Sequence, residues 1–171
     1  PVASAATRRR MRFMGKDSIW KFKLIGKAMT GLGAFPVTRG SADLEALKRC
    51  IAVLHSGEPL VMFPEGTRHF GPEVQPLFDG AAYVALKTGV PIVPAAIAGT
   101  EDVMRSGSKA IRFKKCRMVI GKPICVDAND GARTARSSVK TISEELQLSL
   151  QNLFDTAQKS VEPRRLKRST K

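Results

Sequence analysis

Short apolar runs alternate with helix-length stretches along this chain, and that alternation restricts the fold more than any other feature. Runs at Met11–Met14, Ala34–Val37, Leu60–Phe63 and Pro91–Ala98 are bounded by glycine, proline or polar residues, as buried strands are. Between them lie helical stretches at Ile19–Leu32, Ala42–His55 and Gly80–Thr88, and a longer one at Thr134–Lys159. The stripe Leu44, Leu47, Ile51 and Leu54 marks one helix, and Val139, Ile142, Leu146, Leu150 and Leu153 marks the last. Gly57 with Pro59 and Gly89 are stop signals. Ala110–Phe113 and Arg117–Ile120 read as a hairpin or paired strands, and Gly121-Lys122-Pro123 punctuates before Ile124–Val126. Strand, helix, strand, helix, strand, helix, strand, hairpin, helix predicts an α/β sandwich around a mixed sheet. With 171 residues and 43% hydrophobic content, one domain over residues 1–160 can bury a real core. Residues 161–171 carry a proline and almost no apolar side chains, which predicts a frayed basic tail.

Charge narrows the partners. The 29 basic and 15 acidic residues leave a net +14. Eight Lys/Arg fall between Arg8 and Lys27 against Asp17 alone, seven between Arg105 and Lys122 with no acid, and six from Lys159 to Lys171. Such a field favours polyanions: a nucleic acid, an anionic membrane surface or phosphorylated substrates. Charge alone does not choose among these, and a solvated basic face would look the same. Aromatics at 6% and the absence of zinc-finger, RRM or bZIP-like patterns argue against nucleic acid. The longest charge-free apolar stretch, Thr88–Thr100, is too short for a bilayer span of about 20 residues. Cys50, Cys116 and Cys125 form no CxxC pair, so reduced, mostly buried thiols are expected, and no metal site suggests itself around His55 or His69. The chain starts at Pro1 without an initiator methionine, which predicts a beginning inside a longer protein or processing.

One helix has two readings. Asp17 and Ser18 are placed to cap Ile19–Leu32, where Trp20, Leu24, Met29 and Leu32, with Phe22 and Ile25, interleave with Lys21, Lys23 and Lys27. A basic amphipathic segment of this kind can lie on an anionic membrane. The commoner reading is a stripe that faces the core.

Chemistry concentrates after two strands. Leu60–Phe63 ends at Pro64, and Glu65, Gly66, Thr67 and Arg68 follow. Open α/β sheets place ligands just past the carboxyl ends of strands. Arg68 offers a planar fork of donors to a phosphate or carboxylate, although a solvated turn would have the same composition. Ala34–Val37 likewise runs into Thr38-Arg39-Gly40. If those two strands are neighbours, Arg39 and Arg68 reach one rim, and Lys16, after the first strand, completes a phosphate cradle. Gly40 and Gly66 would permit close backbone approach. There is no GxxxxGK[ST], and no GxGxxG follows a strand, so nucleotide folds are disfavoured.

These blocks resemble those of the glycerophospholipid acyltransferase family, the 1-acyl-glycerol-3-phosphate acyltransferases. Phe63-Pro64-Glu65-Gly66-Thr67-Arg68 is similar to its third motif. Gly33-Ala34-Phe35-Pro36-Val37-Thr38-Arg39-Gly40 is similar to the second, whose arginine contacts substrate phosphate. Val90-Pro91-Ile92-Val93-Pro94-Ala95 resembles the fourth, and Phe13-Met14-Gly15-Lys16-Asp17 the segment whose lysine serves the phosphate site. The resemblance runs from about Arg10 to Val126 in the family's order. It implies an α/β fold with a mixed, mostly parallel central sheet flanked by helices. It implies transfer of a fatty acyl group to lysophosphatidic acid from a thioester co-substrate, acyl-CoA or acyl carrier protein, with no other cofactor. Lys16, Arg39, Glu65, Gly66, Thr67 and Arg68 become the expected substrate-binding residues, and the cytoplasmic face of an anionic membrane the expected setting.

The sequence departs from the family in one respect. The family's first motif is Asn-His, four residues, then Asp; its His is the general base. Leu60 stands five positions after His55 and Val74 five after His69, so neither histidine makes that pair. The motif is expected upstream of Pro1, and residues 1–171 alone are expected to turn over little or no substrate. Two other readings stay open: an inactive module that binds anionic lipid, and a basic nucleic-acid-binding protein.

Overall fold

The computed structural model describes residues 11–37, 44–67, 69, 71–103, 115–127 and 135–169; for Lys16, Asp102 and residues 162–169 it describes the backbone alone. Five strands and four α-helices follow in chain order among these residues. They are β1 (Arg12–Lys16), α1 (Lys23–Gly31), β2 (Ala34–Val37), α2 (Leu44–His55), β3 (Leu60–Val61), α3 (Gly80–Thr88), β4 (Ala95–Ala98), β5 (Arg117–Ile120) and α4 (Arg136–Ser169). Short 3-10 turns occupy Asp17–Lys21 and Thr100–Asp102.

The expected mixed α/β architecture is present, with its strands divided between two sheets. The first is parallel and ordered β2-β1-β3, with Phe13 opposite both Ala34 and Val61 and Lys16 opposite Val37. The condition under which the segments after β2 and β3 would lie side by side is not met: β1 lies between them. Two bonds anchor the early edge of this sheet, from Arg12 N–H to Pro59 C=O (2.9 Å) and from Phe13 N–H to Gly33 C=O (3.2 Å). The second sheet pairs β4 antiparallel with β5, Ala95 opposite Ile120 and Ala98 opposite Arg117. Ile92 and Ile124 extend that pairing by one bridge. The partner of Arg117–Ile120 is thus Ala95–Ala98; the strand expected at Ala110–Phe113 lies outside the described residues.

The core forms where helical stripes meet. Ala82 and Leu86 of α3 pack with Val139 of α4, joined by Tyr83, Val126 and Ile142. Cys50 of α2 is fully buried, its Sγ 3.6 Å from Met14 Sδ on β1. Cys116 and Cys125 are exposed, so the expectation of mostly buried thiols holds for Cys50 alone, and none of the three is in a disulfide. The last helix continues to Ser169, past the expected end at Lys159 and through the stretch expected to fray. Arg, Lys, Leu and Glu there are good helix formers, and polarity by itself is no stop signal.

The first helix is shorter than expected. Phe22, extended at φ −94° and ψ 97°, separates the Asp17–Lys21 turn from α1, and neither Asp17 nor Ser18 caps it. The interruption folds Trp20 back under the helix. A methyl group at Gly15 would meet the Trp20 ring at 2.9 Å, and one at Gly26 would meet it at 3.0 Å. Trp20 Nε1–H donates to Thr30 Oγ1 (3.0 Å), whose hydroxyl donates to Gly26 C=O (2.9 Å). The indole thus glues α1 to β1 by the Gly26 side. The opposite side faces solvent, with Leu24 84%, Leu32 70%, Phe22 66% and Ile25 52% exposed. Of the stripe expected to face the core, Trp20 and Met29 are half-buried, while Leu24 and Leu32 face water.

Candidate functional site

Parallel pairing decides which segments converge. The carboxyl ends of β1, β2 and β3 leave the same edge of the sheet. Lys16 is the last residue of β1, level with Val37, the last of β2. Val61 is level with Phe13, so the three residues after it carry the chain towards the level of Lys16. Neighbouring strands lie about 4.8 Å apart, so β1 sets the two outer strand ends roughly 10 Å from each other. The backbone of Lys16 stands between them. Arg39 and Arg68 themselves lie outside the described residues, as does Gly40.

The loop after β3 is held by its own backbone and by residues 75–78. Gly66 N–H donates to Phe63 C=O (3.0 Å), closing a turn over Pro64 and Glu65. Gly66 adopts φ +68°, the left-handed region that favours glycine. Its open side is covered by the Phe78 ring, whose Cε2 would lie 2.6 Å from a methyl group there. Phe78 N–H donates to Pro64 C=O (2.8 Å), and Gln75 N–H donates to Glu65 Oε2 (3.1 Å). Glu65 and Gly66 are half-buried and Thr67 is exposed. The sequence singled out Gly66 for close approach of a ligand; the group that approaches is an aromatic ring of the same chain. Gln75 and Phe78 were not singled out, because a loop with Gly71, Pro72 and Pro76 carries no periodic signal.

The two histidines separate. His55 ends α2, which leads into β3 at that strand's start, so it lies towards the opposite edge of the sheet. His69 follows Arg68 and is exposed. Among the described residues no group of three His, Cys, Asp or Glu side chains is placed to hold a metal ion, and no helix is long and apolar enough to cross a membrane.

The Acyltransferase family profile matches residues 1–98. A chloroplast 1-acyl-sn-glycerol-3-phosphate acyltransferase of Brassica napus is 37% identical over 116 residues, covering 66% of this chain and 34% of the relative. A 1-acyl-sn-glycerol-3-phosphate acyltransferase of Bacillus subtilis is 33% identical over 114 residues, covering 67% of this chain and 54% of the relative. The chain thus spans about a third to a half of the length of these relatives. The crystal structure of the 1-acyl-sn-glycerophosphate acyltransferase PlsC of Thermotoga maritima superposes with a TM-score of 0.63 at 23% identity, covering 84% of this chain and 56% of that one. That likeness shows a shared fold.

Proposed function

The chain belongs to the Acyltransferase family, and we propose on that premise that it carries the acceptor side of a lysophosphatidate acyltransferase site. The reaction is attack of the lysophosphatidate hydroxyl on the thioester carbonyl of acyl-CoA or acyl carrier protein. An ester forms, the thioester bond breaks and the hydroxyl proton passes to a base; the thiol leaves and phosphatidic acid results. The carrying observation is the parallel pairing of β1, β2 and β3, whose last residues Lys16, Val37 and Val61 lead out along one edge of the sheet. In this reading Lys16, Arg39 and Arg68 hold the acceptor phosphate, while Glu65, Gly66 and Thr67 shape the loop beside it. Their contribution is orientation: a fixed phosphate brings the hydroxyl to the thioester. The base is assigned to neither His55 nor His69.

Arg68→Ala tests the phosphate role. Loss of a charge-assisted pair should weaken binding of glycerol 3-phosphate to the chain on the order of tenfold to a hundredfold. An unchanged affinity for glycerol 3-phosphate counts against the reading.

The partner we propose for the exposed face of α1 is an anionic bilayer. Leu24, Ala28 and Leu32 recur at four-residue intervals with Ile25 beside them, all exposed. Lys21, Lys23 and Lys27 are exposed alongside. Apolar side chains flanked by lysines match a lipid surface whose headgroups are negative. The acceptor and product are themselves anionic lipids, so such a face would keep the site at its substrate, and the cytoplasmic leaflet is the setting that fits.

A further inference from the structure

We propose that Gln151, on the last helix, is a positioning residue for the acceptor loop. It lies beyond residues 1–98, where the family profile ends. Its side-chain amide grips the backbone of another loop with both ends. Gln151 Oε1 accepts from Val74 N–H at 2.7 Å, and Gln151 Nε2 donates to Pro72 C=O at 3.0 Å. Asp155, one turn further on, accepts a second hydrogen bond from Nε2 at 2.8 Å. The gripped loop ends at Asp79, whose carboxylate accepts from Ser143 Oγ of the same helix at 2.9 Å. Residues 72–79 are therefore fastened to α4 at two places.

The other side of that loop touches the acceptor segment. Immediately after Val74, Gln75 donates its N–H to Glu65; three residues later Phe78 donates its N–H to Pro64 and lays its ring on Gly66. A continuous set of contacts thus runs from Gln151 through residues 72–78 to Glu65 and Gly66. Thr67 and Arg68 follow directly in the chain. A loop of this length without a second fastening would sample several conformations, and apparent affinity falls with the fraction that is competent to bind. Gln151 raises that fraction without touching substrate. The inference rests on reading residues 64–68 as the acceptor-phosphate loop.

The test uses the full chain and glycerol 3-phosphate as a soluble headgroup, with amide hydrogen exchange read in parallel. Gln151→Met keeps the side chain's length and removes both polar contacts. It should weaken glycerol 3-phosphate binding about tenfold and speed exchange at Val74, Gln75 and Phe78. Gln151→Glu turns the donor end into a carboxylate oxygen facing Pro72 C=O and the Asp155 carboxylate, and should lose binding and protection at least as far as Gln151→Met. Asp155→Ala removes the pairing within the helix, leaves the loop contacts and should change binding little. Unchanged protection at Gln75 and Phe78 in Gln151→Met, or unchanged binding, would overturn the proposal. So would an Asp155→Ala variant that reproduces both losses, because Gln151 would then act only through helix stability. A wild-type chain that binds no glycerol 3-phosphate would instead refute the acceptor reading, and the exchange data would still report whether Gln151 holds the loop.

Discussion

At the scale of single residues, the loop after β3 is defined by what surrounds Gly66. Its φ of +68° and the Phe78 ring against it leave no room for a side chain. Gly66→Ala should therefore destabilise the fold by about 1–3 kcal/mol, read as a lowered urea midpoint. A wild-type midpoint would mean that the ring moves away freely. Glu65 differs in kind: its Oε2 holds a backbone N–H. Glu65→Gln keeps an oxygen at that place, and Glu65→Ala does not. The alanine variant should lose exchange protection at Gln75, and the glutamine variant should keep most of it; equal loss in both would remove the hydrogen bond from the explanation. The motif itself was legible in the sequence as a glycine in a turn beside charged residues. Phe78 as its cover was not, because an aromatic in a proline-bearing loop has no periodic pattern that names its neighbour.

At the scale of elements, α1 shows how composition leaves a face undecided. Its alternation of Lys with Leu, Ile and Phe fits either a core stripe or a lipid-facing one. The choice is made by Trp20, which takes the Gly26 side of the helix and so turns Leu24, Ile25 and Leu32 outward. Exposed leucines contribute little to folding, so Leu24→Ser, Ile25→Ser and Leu32→Ser together should leave the melting temperature nearly unchanged. The same triple variant should lower binding to phosphatidylglycerol-containing vesicles, by on the order of tenfold for each side chain that enters the lipid. Replacing Lys21, Lys23 and Lys27 by glutamine should weaken that binding about fivefold per lysine at low salt. Unaltered vesicle binding in both variants, or a change of oligomeric state in place of a change in lipid binding, would assign the face to another partner. Trp20→Ala acts in the opposite sense. It removes the seat between Gly15 and Gly26 and should destabilise the fold by about 2 kcal/mol or more.

At the scale of the whole molecule, a parallel sheet and a long helix act on one edge. The order β2-β1-β3 gathers three strand ends there, and α4 reaches the same edge through the loop it holds. Net charge works over longer distances. With +14 on 171 residues, capture of anionic vesicles should fall steeply between low salt and about 1 M, where the screening length shrinks to roughly 3 Å. Salt-independent capture would make the apolar face sufficient by itself.

The sequence by itself determined the alternation of strands and helices, the placing of Lys16 and the Glu65–Arg68 block at strand ends, and the basic field. These follow from local physics: periodicity of apolar residues, breakers at element ends and the count of charges. Tertiary structure alone decided the order of the strands, the face that α1 turns to water and the reach of Gln151 to Val74, 77 residues away. Each of these depends on which surfaces meet once the chain has closed, and no local pattern carries that information. The loop after β3 draws on both: its residues are written in one short motif, and its shape is held by residues 75–78 and, through them, by α4.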